Sequence, residues 1–512
     1  MAGAELEPSS GRDSLKGGFD SPVEASEDGA SYTREEEKKL MRKVDFMIVP
    51  IFTLMYLLSF LDRTNIGAAK IEGLVQAIGI KDYNNILTIF FVGYVIAEVP
   101  ANIILKRTSP PLWLPSLTLV WGIVATLHGV VKNERSFYAV RFFLGITESG
   151  LFPGICYVYS MFYKRNERHY RISLMFSGAA VAGAFGGLLA YGLGRMNGIA
   201  GKRGFEWIFI IEVSIMLATI VVSLIAYFLV PNYPAKSKRF TAREKEILNA
   251  RLASDSDALD EEPFSWSAVG SAAKDPFVWG YCFLFHTFAF VLYSISLFIP
   301  TLIKDLGRWT VWQSQLLSVP PYALAFIVTM TTAHFSFVYR VRGPFIIGAG
   351  LLAIVGYIVL MTSPTVGGKY AALFLIVSGV YAANALLLSW PAENVSGQTK
   401  RAVALGMQIS IGNLGSIVGT QLYRVPLGSL KNKNYIVSHG FAIGYIVAGI
   451  TIAGALSYFL RKENQRRDAL AAAGHNEYAT HQEKSLAGEV DETRLAELRS
   501  LGDRRPNYRY RW

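Results

Sequence analysis

From residue 44 to residue 460 the chain alternates between sustained apolar runs and short polar breaks. Most runs approach the ~20 residues needed to cross a ~30 Å hydrocarbon core, and a soluble domain would not repeat them along its whole length. The pattern predicts membrane-spanning helices over 44–67, 86–105, 112–131, 137–162, 171–194 and 206–230. After a polar interval it predicts six more, over 277–302, 313–338, 343–361, 370–391, 401–423 and 440–460. The expected division is a disordered polar tail (1–43), a six-helix bundle (44–230), a linker (231–276), a second six-helix bundle (277–460) and a second tail (461–512).

Lys and Arg near helix ends favour the cytoplasmic side, so their distribution sets the expected orientation. Breaks assigned inside carry Lys106 and Arg107; Lys164, Arg165, Arg168 and Arg171; Lys236, Lys238 and Arg239; Arg340 and Arg342; and Lys400 and Arg401. The tails add Arg42, Lys43, Arg461 and Lys462, whereas the outer breaks hold fewer, among them Lys70, Lys132, Arg203, Lys304 and Lys431. Both termini are therefore expected inside. Within the linker, Thr241 is followed three residues later by Glu244, a capping-box pattern that predicts a short surface helix. Its charges read most simply as a solvated face, with a regulatory or lipid-surface role as the other reading. Small residues at every fourth position, Gly93, Ala97 and Ala101, then Gly183 and Gly187, then Gly415 and Gly419, predict close helix contacts.

Composition sharpens this picture. The 512 residues are 52% hydrophobic and only 17% charged, against roughly 25% charged in ordinary soluble domains. The net charge of +11 is spread over the breaks instead of forming a basic domain, so no nucleic-acid partner is expected. Cys156 and Cys282 fall in separate apolar runs and read as packing residues, neither a disulfide nor a metal site. The polar first 43 residues lack the pattern of a cleavable signal peptide, leaving the first apolar run as the targeting signal. No nucleophile arrangement, metal cluster or phosphate-binding glycine loop stands out, so neither an enzyme nor a cofactor is expected.

Ionisable residues inside the apolar runs carry the chemistry, because a charge at membrane depth must face a cavity or a partner. Asp62 and Arg63 lie some 16 residues into the first run, ~24 Å from its start at 1.5 Å per residue. Position alone leaves two readings open: a cavity-facing pair, or an interfacial pair reaching to the outer surface. Arg141 and Glu148 are seven residues apart on one predicted helix face, and Glu148 sits ~16 Å deep, where snorkelling fails. Burial favours the neutral carboxyl and a nearby guanidinium the ionised one, so a group held between them can load and release a proton. The planar forks of Arg63 and Arg141 suit a carboxylate. Tyr56, Tyr94, His286, Tyr293, Asn384, Gln408 and Asn413 are further candidates for a pocket, although each singly is more often a helix-to-helix hydrogen bond. Glu98 and Glu212 read first as members of structural pairs.

Several segments resemble a known family. LSFLDRTNIGAAK (58–70), GYVIAEVPANIILKR (93–107), RFFLGITESGLFPG (141–154), NALLLSWPAENVSGQTKRA (384–402) and GNLGSIVGTQLYR (412–424) resemble the anion:cation symporter branch of the major facilitator superfamily. The last two look like the fungal allantoate and nicotinate permease group, and the likeness extends over 44–467. It implies the major facilitator fold, an all-α membrane protein with 12 transmembrane helices in two six-helix bundles. It also implies that Arg63 binds an anion and Glu148 couples protons, with Asp62 matching the family's Asp-Arg pair and Arg141 its fourth-helix arginine. The superfamily's loop after the second helix holds a Gly, an Asp and a basic pair, whereas ANIILKRTSP (101–110) keeps only the basic pair. Asn394 and Ser396 form a glycosylation sequon on the expected inner side, where it would go unused.

These readings combine into one expectation: proton-coupled symport of a small organic anion by alternating access. Arg63, Arg141, Tyr56, Tyr94, Tyr293, Asn384 and Asn413 bind substrate, and Asp62 and Glu148 exchange protons. The expected partners are a small carboxylate (nicotinate, another vitamin acid, allantoate or a dicarboxylate), protons and the lipid bilayer. The expected state is a monomer in the plasma membrane with both termini cytoplasmic. A proton-driven exporter of an acidic metabolite or toxin, and a non-transporting membrane sensor, are the alternatives.

Overall fold

The computed structural model describes residues 32–194, 204–234, 236–253, 265–307, 309–423, 435–473, 502–505 and 508–512. The first half comprises α1 (Arg34–Ile71), α2 (Leu74–Ile78), α3 (Tyr83–Arg107), α4 (Pro110–Thr126), α5 (Glu134–Glu148), α6 (Leu151–Phe162), α7 (Arg165–Gly194) and α8 (Gly204–Leu229). The linker holds α9 (Ala242–Ala253) and α10 (Trp266–Ala273). The second half comprises α11 (Pro276–Leu306), α12 (Val311–Leu316), α13 (Val319–Tyr339), α14 (Gly343–Thr362), α15 (Val366–Asn394), α16 (Gln398–Leu422) and α17 (Ile436–Ala472). No strand occurs among the described residues. Ten helical segments there are long and apolar enough to cross a membrane, α12 with α13 counting as one. The remaining passes are α5 with α6, each too short alone, and α8, whose described apolar stretch is Leu217–Leu229.

Capping explains several boundaries. Helix α1 begins at Arg34, well before the apolar run, because Thr33 and Glu36 form a capping box and Glu35, Glu36 and Glu37 complement the helix dipole. Asp82 caps α3 by accepting from the Asn84 and Asn85 amides at 3.1 and 3.3 Å. The expected linker helix is present as α9, with the Thr241 amide donating to Glu244 at 2.8 Å and the Glu244 amide to Thr241 at 3.2 Å.

Two expected continuous helices are interrupted. The run at 137–162 breaks at Ser149–Gly150, since Pro153 has no amide to donate to the Ser149 carbonyl and its ring crowds that position. Glu148 is thereby the last residue of α5, beside a backbone kink. The run at 313–338 breaks before Val319, and the Leu317 carbonyl, which Pro321 cannot satisfy, accepts instead from the Tyr370 hydroxyl at 2.8 Å. Such breaks are tolerated at membrane depth where protein surrounds them.

Burial separates inner helices from outer ones. The apolar windows of α11 and α15 are 89% and 83% buried, against 28% for α17. Exposed Ile96, Phe143, Phe228, Ile327 and Phe441 belong to the belt that meets lipid. The halves meet where α3 packs on α16, α7 on α13 and α15, and α1 on α11. The small-residue stripes lie at contacts: a Cβ on Gly93 would stand 2.3 Å from the Phe142 carbonyl oxygen, and one on Gly415 2.0 Å from that of His286. Cys156 and Cys282 are buried free thiols.

At the end of the bundle that carries the termini, residues 502–505 and 508–512 dock against both halves. The Arg342 amide donates to the Trp512 carbonyl at 2.8 Å, and the Trp390 indole and Asn394 amide both donate to the Arg511 carbonyl at 2.7 Å. Lys400 bridges Asp275 at 2.7 Å and Asp503 at 2.8 Å, and the Arg165 guanidinium lies 4.4 Å from the Tyr508 ring. Asn394 is buried among Arg165, Tyr281 and Arg511, out of reach of a glycosylating enzyme.

Gly415→Ala, which puts a methyl group onto a backbone oxygen, is expected to destabilise the protein by about 1–3 kcal/mol. Gly444→Ala, with nothing within 4 Å of its added carbon, is expected to leave the melting temperature in detergent unchanged or slightly raised. Equal melting temperatures for the two variants would show that the α11–α16 contact is not as close as described.

Candidate functional site

The interior site is built around Arg63. Ser59 and Arg63 sit one turn apart on α1 and both meet Glu148 at the end of α5: the Ser59 hydroxyl and the Arg63 Nε donate to Glu148 Oε1, the latter at 2.8 Å. A second Arg63 nitrogen, Nη1, donates to the Tyr293 hydroxyl on α11, so one guanidinium ties its own half to the other. The rings of Tyr94, Phe90 and Tyr293 lie 5.0, 5.4 and 5.8 Å from the guanidinium carbon, a cation–π cage that compensates part of its lost hydration. Glu148 is 1% exposed, and its Oε2 has no hydrogen-bond partner among the described residues.

Arg63 forms part of the wall of a small interior chamber of about 20 Å³, room for about one water in this arrangement. The first half contributes Tyr56, Arg63, Tyr94, Phe152 and Phe176, and the second half Phe285, Leu292, Tyr293, Leu388, Ile409 and Asn413. The lining thus holds one cation, six aromatic rings and no carboxylate, with Glu148 behind Arg63.

The halves also touch above and below. At the end carrying the termini, Arg165 donates to Asn394 at 3.0 Å, and His169 Nδ1 and the Ser389 hydroxyl are 2.6 Å apart. At the opposite end the hydroxyls of Thr88 and Thr420 are 2.8 Å apart, and Gln421 donates to Asn85 at 3.2 Å. This is an occluded arrangement, joined across the seam at both ends.

Of the residues expected in the site, the structure gathers Arg63, Tyr56, Tyr94, Tyr293 and Asn413 in the lining and places Glu148 against Arg63. Asp62 points the other way, accepting from the Trp121 indole at 3.0 Å, with Oδ1 unpartnered among the described residues. Arg141 is buried outside the lining, with its guanidinium 5.8 Å from the Phe137 ring. Asn384 turns back to its own helix, donating to Val380 at 2.8 Å. His286 and Gln408 serve as helix-to-helix contacts, to the Ile411 carbonyl at 3.1 Å and the Leu387 carbonyl at 2.9 Å. The side chain of Glu212 lies outside the described residues. Glu98, read from sequence as half of a structural pair, forms no ion pair among the described residues. Sequence reasoning missed Ser59, Trp121 and the apolar lining of Phe152, Phe176, Phe285, Leu292, Leu388 and Ile409, because apolar positions in an apolar helix look alike until packing distinguishes them.

Two halves of six membrane helices, meeting around one buried charged chamber, define the architecture of a secondary transporter. Residues 52–420 match the Major Facilitator Superfamily, and the chain belongs to it. It is 33% identical over 474 residues to the MFS-type transporter cnsO of Penicillium expansum, covering 90% of each chain. An uncharacterized transporter of Schizosaccharomyces pombe is 32% identical over 445 residues, 86% of this chain and 90% of the relative. The high-affinity nicotinic acid transporter of Saccharomyces cerevisiae is 29% identical over 437 residues, 85% of this chain and 80% of the relative. The fold is similar, at a TM-score of 0.58 and 16% identity, to a bacterial homolog of the human lysosomal transporter Spinster, over 83% of this chain and 98% of that one.

The ion pair makes a thermodynamic prediction. Glu148→Leu strands a guanidinium that cannot lose its charge and is expected to cost about 3–5 kcal/mol, seen as a large fall in melting temperature. Adding Arg63→Met to Glu148→Leu removes both charges and is expected to restore most of that loss. Additive destabilisation in the double variant would show that the two side chains are not paired.

Proposed function

We propose that this transporter carries a small organic monocarboxylate together with protons, by exposing its central chamber alternately to the two sides of the membrane. The observation that carries the reading is the Arg63–Glu148 pair in the chamber wall. Arg63 is the one cation of the lining, and its countercharge is a carboxylate from another helix. A substrate carboxylate arriving at Arg63 competes with Glu148 for the same guanidinium. Glu148 yields its place without stranding a buried charge only by taking up a proton. Proton and substrate then favour each other's binding, and the coupling is reciprocal. Asp62, beside Arg63 in the chain and held by the Trp121 indole, is the second carboxyl in this exchange.

The lining narrows the substrate class. One cation balances one carboxylate, and the rings of Tyr56, Tyr94, Phe152, Phe176, Phe285 and Tyr293 suit a flat, apolar-faced body. Nicotinate combines both features and is the transported acid in the name of one relative. Arg141 and Asn384 are given no substrate contact in this reading. The termini face the cytoplasm, in keeping with the positive-inside bias, and the protein works as a monomer in the plasma membrane.

Uptake of radiolabelled nicotinate, compared with allantoate and a dicarboxylate, into proteoliposomes under an imposed pH gradient tests the reading. Accumulation driven by an acidic exterior is expected for nicotinate, whereas expulsion into an acidic medium would identify an exporter. Glu148→Gln is expected to lose gradient-driven accumulation and keep nicotinate exchange at equal pH; equal loss of both would reject its proton role. Arg63→Lys, which keeps the charge but loses the planar fork, is expected to raise the apparent KM about tenfold, and an unchanged KM would remove Arg63 from the binding site.

A further inference from the structure

Glu98 is a buried carboxyl that the coupling scheme does not use. It lies on α3 one turn beyond Tyr94, ~6 Å along the axis toward the end that carries the termini. The residue is 0% exposed. Its Oε1 is 3.5 Å from the Asn102 amide nitrogen, at the limit of a hydrogen bond, and that nitrogen already donates to the Glu98 carbonyl at 2.9 Å. Its Oε2 has no hydrogen-bond partner among the described residues. The other buried carboxyls are held differently: Glu148 by Arg63, Glu393 by Arg342, Asp275 and Asp503 by Lys400, and Asp62 by the Trp121 indole.

An ionised carboxylate so placed is strongly disfavoured, and no cation among the described residues pairs with it. The charged and titratable groups whose fields reach Glu98 are Arg63 on α1, Tyr293 on α11 and Tyr94 on its own helix. The Arg63 charge is already answered by Glu148. The neutral acid is therefore the form these surroundings accommodate, which the infrared measurement below checks. The surroundings of Glu98 also border the seam: Glu98 and Asn102 share a face of α3, and the Asn102 amide lies 3.5 Å from where a Cβ on Gly406 of α16 would stand, across the seam between the halves.

We propose that Glu98 is a proton relay between the Arg63–Glu148 site and the end of the α3–α16 seam nearest the termini, a role that rests on the proton-coupled reading above. When the seam opens, water enters beside Glu98 and its proton leaves to solvent, giving a transient carboxylate. The proton on Glu148 then crosses to Glu98 through water admitted along Tyr94, leaving Glu148 ionised to re-pair with Arg63. No bond other than these O–H bonds forms or breaks. Glu98 acts on the proton and does not touch the substrate.

The experiment compares wild type, Glu98→Gln and Glu98→Asp in proteoliposomes with radiolabelled nicotinate, and records infrared spectra of each purified protein at neutral pH. Glu98→Gln preserves shape and the Asn102 contact, so it is expected to keep nicotinate exchange at equal pH within about twofold of wild type. Gradient-driven accumulation is expected to fall at least tenfold, with partial recovery in Glu98→Asp. The infrared spectrum of wild type is expected to contain a protonated-carboxyl C=O band that Glu98→Gln removes. Unimpaired accumulation by Glu98→Gln overturns the relay while the symport reading stands. Loss of exchange together with accumulation in a monodisperse Glu98→Gln sample also overturns it, by making the residue part of the substrate site or the scaffold. If wild type does not accumulate nicotinate, the transport arm counts against the symport reading and the infrared arm decides Glu98: a band unchanged by the substitution overturns the relay.

Discussion

A guanidinium and a carboxylate buried together among aromatic rings inside a bundle of membrane helices set the terms for the rest of this protein. Neither charge is tolerable alone at that depth, and together they hold only if their geometry is good. Much of the local structure supplies that geometry. Pro153 breaks the fourth pass where Glu148 ends its helix, Ser59 adds a donor one turn from Arg63, and the Tyr293 hydroxyl accepts a hydrogen bond from Arg63 across the seam. The pair joins helices of the first half and, through Tyr293, feels the position of the second. A change in its protonation or its partner therefore bears directly on how the two halves sit.

Close packing within a half and polar ties between the halves occur side by side, an arrangement that suits a structure that must open. Within the second half, α11 and α16 approach so closely at Gly415 that a single methyl group would collide with backbone, a contact that moves only as a rigid unit. Across the seam, where a Cβ on Gly67 of α1 would also stand 2.5 Å from the Leu297 carbonyl oxygen of α11, the polar ties at each end are hydrogen bonds, such as Arg165 to Asn394 at one end and Thr88 to Thr420 at the other. Each contributes about 0.5–1.5 kcal/mol, or somewhat more where a charge takes part, so either end can part without unfolding a bundle. The end carrying the termini has an additional layer, because residues 508–512 lie over Arg342, Trp390 and Asn394 and reach Arg165 of the first half. Hydrogen bonds from Arg466 and Arg467 hold the Glu463 carboxyl down at about 2, keeping it ionised beside that layer at any physiological pH.

Chemistry and depth were readable along the chain for a few residues and not for others. Arg63 and Glu148 stood out because ionisable groups in long apolar runs are rare and need a partner, and the structure makes them each other's partner. The same logic singled out Asp62, Arg141 and Asn384, yet their side chains point to Trp121, Phe137 and the Val380 carbonyl instead of the chamber. Helical spacing places a residue on a face but says nothing of what the face meets. Glu98 shows the limit from the other side: its position in an apolar run suggests half of a pair, and only packing shows that it forms no ion pair among the described residues.

By itself the sequence determined the number and order of apolar crossings, the linker helix after Thr241, the close-contact glycines and the two ionisable residues that had to be reconciled inside the membrane. These are local or periodic properties, settled by the length of a hydrocarbon core, by backbone sterics and by the cost of a lone charge. Only tertiary structure decided where long passes break and which aromatic side chains of eleven lining residues enclose the chamber. It likewise decided that residues 508–512 cover the seam, and which carboxyls pair with no cation among the described residues. Those outcomes depend on how helices far apart in sequence turn toward one another, and in a lipid-embedded bundle many such rotations bury similar apolar area, so the choice falls to contacts that no single helix contains.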